Sequence, residues 1–181
     1  MNVVDSLTRR NQEFARTHFS PELKIVPSLR TIIIGCVDPR VDPAEIFALE
    51  QGEAAIIRNV GGRVFPSTIE TMDMLTEVSR ASGGALAAGW NVVVLHHTDC
   101  GIKRLGNAQE LLAGHFGVAA GELTALAVTD PIASVTVDIA ALQADLRLSG
   151  DVVVSGLVYD VATGKTTTVI SPAPLRPKKN A

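Results

Sequence analysis

The chain reads as an α/β protein with a mostly parallel sheet, about four parallel strands plus one antiparallel edge strand, flanked by helices. Three observations lead there. Aliphatic, β-branched runs of strand length (TIIIGCVD, AAIIR, NVVVLHH) alternate with segments of helical spacing, as in βαβ units. These runs are continuously apolar, as strands covered on both faces are. The last two apolar runs are joined by a short glycine-containing turn, which reads as a hairpin. With 181 residues, 46% of them hydrophobic, the chain suffices for one sizeable core and is short for two, so residues 1–181 are expected to form a single domain.

The first strand is Thr31 to Asp38. Asp42 as N-cap, Pro43 at the first helical position and Glu45 then start a short helix through Leu49, which Gly52 ends. Ala54 to Arg58 is the second strand and runs into Asn59-Val60-Gly61-Gly62, where paired glycines permit close backbone approach. Ser67-Thr68-Ile69-Glu70 has the form of a capping box, and Ile69, Met72, Leu75 and Val78 predict the helix that follows, ended or kinked by Gly83-Gly84. Asn91 to His97 is the third strand. A helix is expected around Ala108 to Phe116, and another after Pro131 with a stripe of Val135, Ile139, Leu142 and Leu146. Val152 to Tyr159 and Thr166 to Ile170 form the closing hairpin, and residues 172–181 read as a loose tail.

Chemistry gathers where the first and third strands end. Cys36 stands alone, and His97-Thr98-Asp99-Cys100 offers a His and a Cys three residues apart. Adjacent parallel strands ending at one sheet edge would bring Cys36 to that pair, giving a Cys2His set suited to zinc. Three protein ligands leave a fourth position for water, the mark of a catalytic rather than a structural site. Two thiolates formally cancel the charge of the ion, so neighbouring groups must help activate the water. Asp38 and Arg40 are the candidates: in extended backbone Cys36, Asp38 and Arg40 share one face, and the guanidinium would hold the carboxylate through paired hydrogen bonds. Released from Arg40, Asp38 would itself be a zinc ligand in a closed state; the spacing alone reads equally well as a surface ion pair. Asp42 reads as a helix cap, His96 as a core or interface histidine, and Asp99 as either solvated or next to the metal.

With CVDPR and HTDCG in place, the chain resembles the β-class carbonic anhydrases, whose hallmark is C-x-D-x-R followed much later by H-x-x-C. The likeness runs through IIRNVGG and GLVYDVATGK and covers roughly residues 30 to 170. It implies that Cys36, His97 and Cys100 hold one Zn2+ per subunit, and that Asp38 and Arg40 form the pair beside it. It also implies reversible hydration of carbon dioxide to bicarbonate and a proton by zinc-bound hydroxide. A homodimer or higher even oligomer is implied too, with residues 1–20 as an N-terminal helical arm that lays Val4, Leu7 and Phe14 on the partner. Pro39 departs from the small residue usual between Asp and Arg, and His96 from a frequent glycine. Ile33 stands where some members carry a Trp tied to an inhibitory bicarbonate pocket, so that pocket is not expected. The stretch from Ser82 to Trp90 is longer than the family's usual link. Val37 and Phe65 are expected to shape a pocket for an uncharged, linear substrate.

Two other readings use the same residues. Relatives of this class act on carbonyl sulfide or carbon disulfide by parallel chemistry, and a non-catalytic zinc protein would close the site with a fourth protein ligand. A net charge of -3 gives no basic field to draw nucleic acid or an anionic membrane, so the expected partner is a small molecule. The opening residues lack the apolar core of an export signal, no apolar run approaches the roughly 20 residues of a membrane span, and two cysteines suggest no disulfide. A cytoplasmic location follows as the expectation.

Overall fold

The computed structural model describes residues 2–177. Its five strands form one sheet in the order β2-β1-β3-β4-β5. Strands β1 (Thr31–Cys36), β2 (Ala54–Asn59), β3 (Asn91–His97) and β4 (Val153–Asp160) run parallel, and β5 (Lys165–Pro174) is antiparallel at the edge. This is the architecture that the apolar runs predicted.

Alternation along a strand, with both faces covered, explains why Ile32 to Ile34 and Val92 to Leu95 are continuously apolar. On one face Ile32, Ile34, Val92, Val94 and Val154 pack against Ile69 and Met72 of α3 (Pro66–Ala81) and against Val135, Ile139 and Leu142 of α5 (Pro131–Ala144). Ile33 and Leu95 point the other way and are buried as well. The remaining helices are α1 (Val3–Thr17), α2 (Pro43–Ile46) and α4 (Gln109–Phe116). Asn2 and Asp5 cap α1 reciprocally, the Asp42 carboxylate accepts from the Ala44 N–H at the start of α2, and Asp130 caps α5. A second, smaller apolar cluster gathers Val41, Ile102, Leu112 and Phe116 around Cys36 and Cys100.

Several local expectations need correction. The capping box at Ser67 does not form: α3 starts two residues earlier, at Pro66, with Phe65 at the N-cap and no side-chain cap, because proline is preorganised for the first helical position. Helix α2 ends at Ile46 rather than Leu49. Leu146 lies beyond the end of α5 and is 82% exposed, so the apolar stripe stops at Leu142. Nor is the chain loose from residue 172: β5 continues through Pro174, and Leu175 is buried in the core. The end of the expected tail, residues 178–181, lies outside the described residues. The expected helical arm is present as α1, and none of its residues is buried within the chain.

Gly156 sets how closely α5 can approach the sheet. A Cβ there would stand 2.2 Å from Val135 Cγ1 and 3.1 Å from Ile139 Cδ1. Val135 is fully buried and β-branched, so it has no free rotamer in which to retreat. Gly156→Ala is therefore expected to destabilise the fold by about 1–3 kcal/mol through overpacking, read as a lower thermal midpoint. An unchanged midpoint would contradict this packing.

Candidate metal centre

Parallel pairing of β1 with β3 sets Gly35 opposite Leu95, so Cys36 and His97 end their strands at the same sheet edge, His97 one residue further along. Cys100 follows one turn later, at the start of a 3-10 helix spanning Gly101–Leu105. All three residues are buried, and their ligand atoms lie within 4.8 Å of one another. The Cys36 and Cys100 sulfurs are 3.8 Å apart.

A divalent metal fits this arrangement because of what His97 lacks. Its Nδ1 lies 2.8 Å from the Thr98 carbonyl oxygen, which only accepts, so Nδ1 carries the proton and Nε2 presents its lone pair. That Nε2 is buried and has no hydrogen-bond partner. An orphan acceptor beside two sulfurs is costly without an electrophile, and a soft or borderline ion satisfies it. The backbone holding it is anchored in turn. The Thr98 N–H donates to the Tyr159 carbonyl, and its hydroxyl donates to Asp160 Oδ1 at 3.1 Å.

The two thiols are prepared unequally. Cys36 is driven well below the usual thiol range, mainly by its hydrogen bond with Cys100, helped by the backbone N–H groups of Asp38 and Gly61. Cys100 is driven upward by that same hydrogen bond and by burial. A metal held by both sulfurs needs both as thiolates, so its binding releases protons.

Gly62 has the closest backbone approach in the site. Its φ is +66°, and a Cβ would stand 2.7 Å from the Cys36 nitrogen. The glycine pair after β2 thus lets that loop lie directly against the strand end that carries the first ligand.

Asp38 and Arg40 meet as expected, though not by strand alternation. The strand stops at Cys36, and Asp38 caps a 3-10 helix, Pro39–Val41, whose tight turn folds Arg40 back onto it. Arg40 Nε donates to Asp38 Oδ1 at 3.0 Å, and Nη2 donates to Oδ2 at 2.7 Å. The Arg40 backbone N–H adds a third bond at 3.0 Å. This hydrogen bonding to Arg40 holds the Asp38 carboxyl down at about 2. Asp38 faces Arg40 and is not part of the ligand cluster. Among the described residues no fourth His, Cys, Asp or Glu joins the ligand cluster. Asp99 is no bystander either, because its Oδ2 accepts from Arg40 Nη1 at 2.9 Å. Val37 is half exposed, while Phe65 packs edge-on against His115 and Phe116.

The sequence reading missed two supports. Arg58 donates from Nε to the Cys36 carbonyl at 2.9 Å, from Nη2 to the Asp38 carbonyl at 2.8 Å and from Nη1 to the Asp42 carboxylate. It holds the whole loop between β1 and α2, so Asp42 is both a cap and an ion-pair partner. Behind the metal position, Arg63 and Asp138 form a fully buried ion pair, and His96 bridges Asp138 and Ser134. His96 is the satisfied core histidine that its strand position predicted. One signal for this cluster was present: Asp138 falls on the same helical face as Val135, Ile139 and Leu142, and a carboxylate within an apolar stripe calls for a buried cation.

Fold and site together define an α/β enzyme with a Cys2His metal-binding triad. A model of the carbonic anhydrase family matches residues 31–119, which include all three ligands and the Asp38–Arg40 pair. A crystal structure of carbonic anhydrase from Streptococcus mutans superposes with a TM-score of 0.73 at 33% identity, covering 93% of this chain and 98% of that one. β-Carbonic anhydrase 1 of Mycobacterium tuberculosis is 27% identical over 176 residues, 93% of this chain and 99% of its own length. A carbon disulfide hydrolase of Saccharolobus solfataricus is 28% identical over 102 residues, 56% of this chain and 44% of its own. The chain belongs to the β-class carbonic anhydrase family.

Two substitutions test the centre by chelator competition. His97→Ala removes a ligand and is expected to weaken zinc binding by more than about 100-fold. Gly62→Ala leaves every ligand in place yet pushes on the Cys36 backbone, and a loss of about 10- to 100-fold is expected. Unchanged affinity in either variant would contradict the assignment.

Proposed function

We propose that this enzyme catalyses the reversible hydration of carbon dioxide to bicarbonate and a proton, with one Zn2+ per subunit held by Cys36, His97 and Cys100. The observation that carries this reading is the buried, unpartnered Nε2 of His97 converging with two sulfurs while Asp38 is turned away to Arg40. Bound zinc supplies a Lewis acid that acidifies water at its open position. Two thiolates blunt that effect, and the chain compensates through Asp38. An ionised carboxylate only accepts hydrogen bonds. With both Asp38 oxygens fixed by Arg40, the carboxylate accepts from an O–H donor beside it and holds that donor in one orientation. Val41, Ile102, Leu112 and Phe116 surround the ligands with apolar surface, suited to a small uncharged substrate.

The sequence likeness to a carbon disulfide hydrolase covers little more than half of this chain, and a solved carbon disulfide hydrolase superposes over 91% of it at only 20% identity and a TM-score of 0.60, against 33% and 0.73 for the carbonic anhydrase of S. mutans. Carbon dioxide is therefore the preferred substrate. A purely structural zinc is disfavoured by the Arg40 clamp on the residue that would otherwise close the site.

The proposed assembly is a homodimer. Helix α1 exposes Val3, Val4 and Leu7, and β2, an edge strand of sequence AAIIRN, is only half buried along its length. A second copy covering both would remove this apolar surface and the open strand edge.

Stopped-flow assays on zinc-loaded protein should show carbon dioxide hydration well above buffer and above turnover of carbonyl sulfide or carbon disulfide. Asp38→Asn, which keeps the shape and loses the charge, is expected to lower hydration by about 10- to 100-fold with zinc content unchanged. Hydration at the buffer rate by the unsubstituted enzyme would overturn the reading. In sedimentation equilibrium the native chain should run as a dimer or higher even oligomer, and Leu7→Asp should shift it toward monomer. A monomeric native chain would contradict the assembly.

A further inference from the structure

The Asp38–Arg40 pair is not closed on itself. A guanidinium fork has two edges, and Asp38 takes only the one formed by Nε and Nη2. The other edge is taken by a single residue: Nη1 donates to Asp99 Oδ2 at 2.9 Å, and Nη2 donates to the Asp99 carbonyl oxygen at 3.0 Å. Asp99 lies between His97 and Cys100, so this second grip is built into the turn that carries two of the three metal ligands.

The backbone at Asp99 adds an independent observation. Its φ is +51°, in the left-handed region that disfavours residues with a Cβ. Glycine would adopt it freely, but glycine would present no carboxylate to Nη1. The left-handed turn carries the Asp99 carbonyl and carboxylate to the same guanidinium. Arg40 needs such a hold, because its side chain is 48% exposed and sits on a flexible stem, whereas the Asp38 side chain is only 14% exposed. Held by Asp38 alone, the guanidinium would be free to swing into solvent about its remaining bonds.

We propose that Asp99 is a positioning residue for the catalytic pair: by fixing the far edge of Arg40, it keeps Asp38 turned toward Arg40 and off the metal. This deepens the reading above and rests on it for the role of Asp38. In effect the ligand turn sets the state of the carboxylate. Any displacement of the His97–Cys100 turn is passed through Asp99 and Arg40 to Asp38.

The experiment follows the Arg40 Nε–H resonance by 1H,15N NMR, identified by its loss in Arg40→Lys. Nε is the atom that donates to Asp38, so its solvent exchange reports how long the pair stays closed. In metal-free protein, Asp99→Gly relieves the left-handed strain and removes the carboxylate. Its thermal midpoint should be equal or higher, while Nε–H exchange rises about fivefold, the size expected for one exposed ion pair. Asp99→Asn tolerates the same backbone and keeps a neutral acceptor, so its exchange should fall between. In zinc-loaded protein the same order should appear in kcat for hydration with KM little changed. Nε–H exchange in Asp99→Gly equal to that of the unsubstituted protein would overturn the proposal. If the unsubstituted protein proves unable to hydrate carbon dioxide, the functional reading fails while the exchange comparison still decides the role of Asp99.

Discussion

Adjacent parallel pairing of β1 and β3 is the constraint on which everything else in the site depends. Cys36 and His97 are far apart along the chain, and they become neighbours only because both strands end at the same sheet edge, in a register that sets Gly35 beside Leu95. That register is held by the core. Ile32, Ile34, Val92 and Val94 must all point into the same helix-covered face, and a slip of one residue would turn all of them to the opposite face and out of this packing. Hydrophobic burial thus sets the ligand geometry to within a side chain's reach, before any metal is present.

The remaining precision comes from polar groups that each do more than one thing. Thr98 fixes the His97 tautomer through its carbonyl and ties the ligand turn to β4 through its hydroxyl. Arg58 binds two carbonyls of the loop after β1 together with the cap of α2, so the loop carrying Asp38 cannot drift from the strand that carries Cys36. The buried Arg63–Asp138 pair ties the loop after β2 to α5. Such pairs contribute little net stability once desolvation is counted, but removing one partner strands a buried charge. Their value here is positional: they hold the Gly61-Gly62 loop against Cys36.

Much of this was legible in the sequence, and the reason is periodicity. Apolar runs gave the strands, the Pro131 helix showed its stripe, and a lone Cys followed by H-x-x-C at two strand ends announced the ligands. Failures came where a local signal competed with a stronger one. Pro66 displaced the Ser67 capping box, and Leu146 fitted the helical spacing of α5 but fell after its last turn. Asp38 and Arg40 were paired for the wrong reason, since a 3-10 turn rather than an extended strand brings them together. Asp138 within the apolar stripe of α5 signals a buried cation, but that Arg63 is its partner depends on how α5 crosses the sheet, which no local pattern encodes. The tail is not loose from residue 172, because an edge strand tolerates proline, and β5 carries Pro172 and Pro174 within its length.

The central claim is that two sulfurs and one imidazole nitrogen hold a metal and leave one position for a small oxygen ligand, with Asp38 kept away by Arg40. Zinc K-edge X-ray absorption on the loaded enzyme tests it most directly. The account predicts two sulfur scatterers at about 2.3 Å and two light scatterers near about 2.0 Å, one with the outer-shell pattern of imidazole and the other without a carboxylate carbon behind it. A sulfur count other than two, or a carboxylate signature in the fourth position, would contradict it.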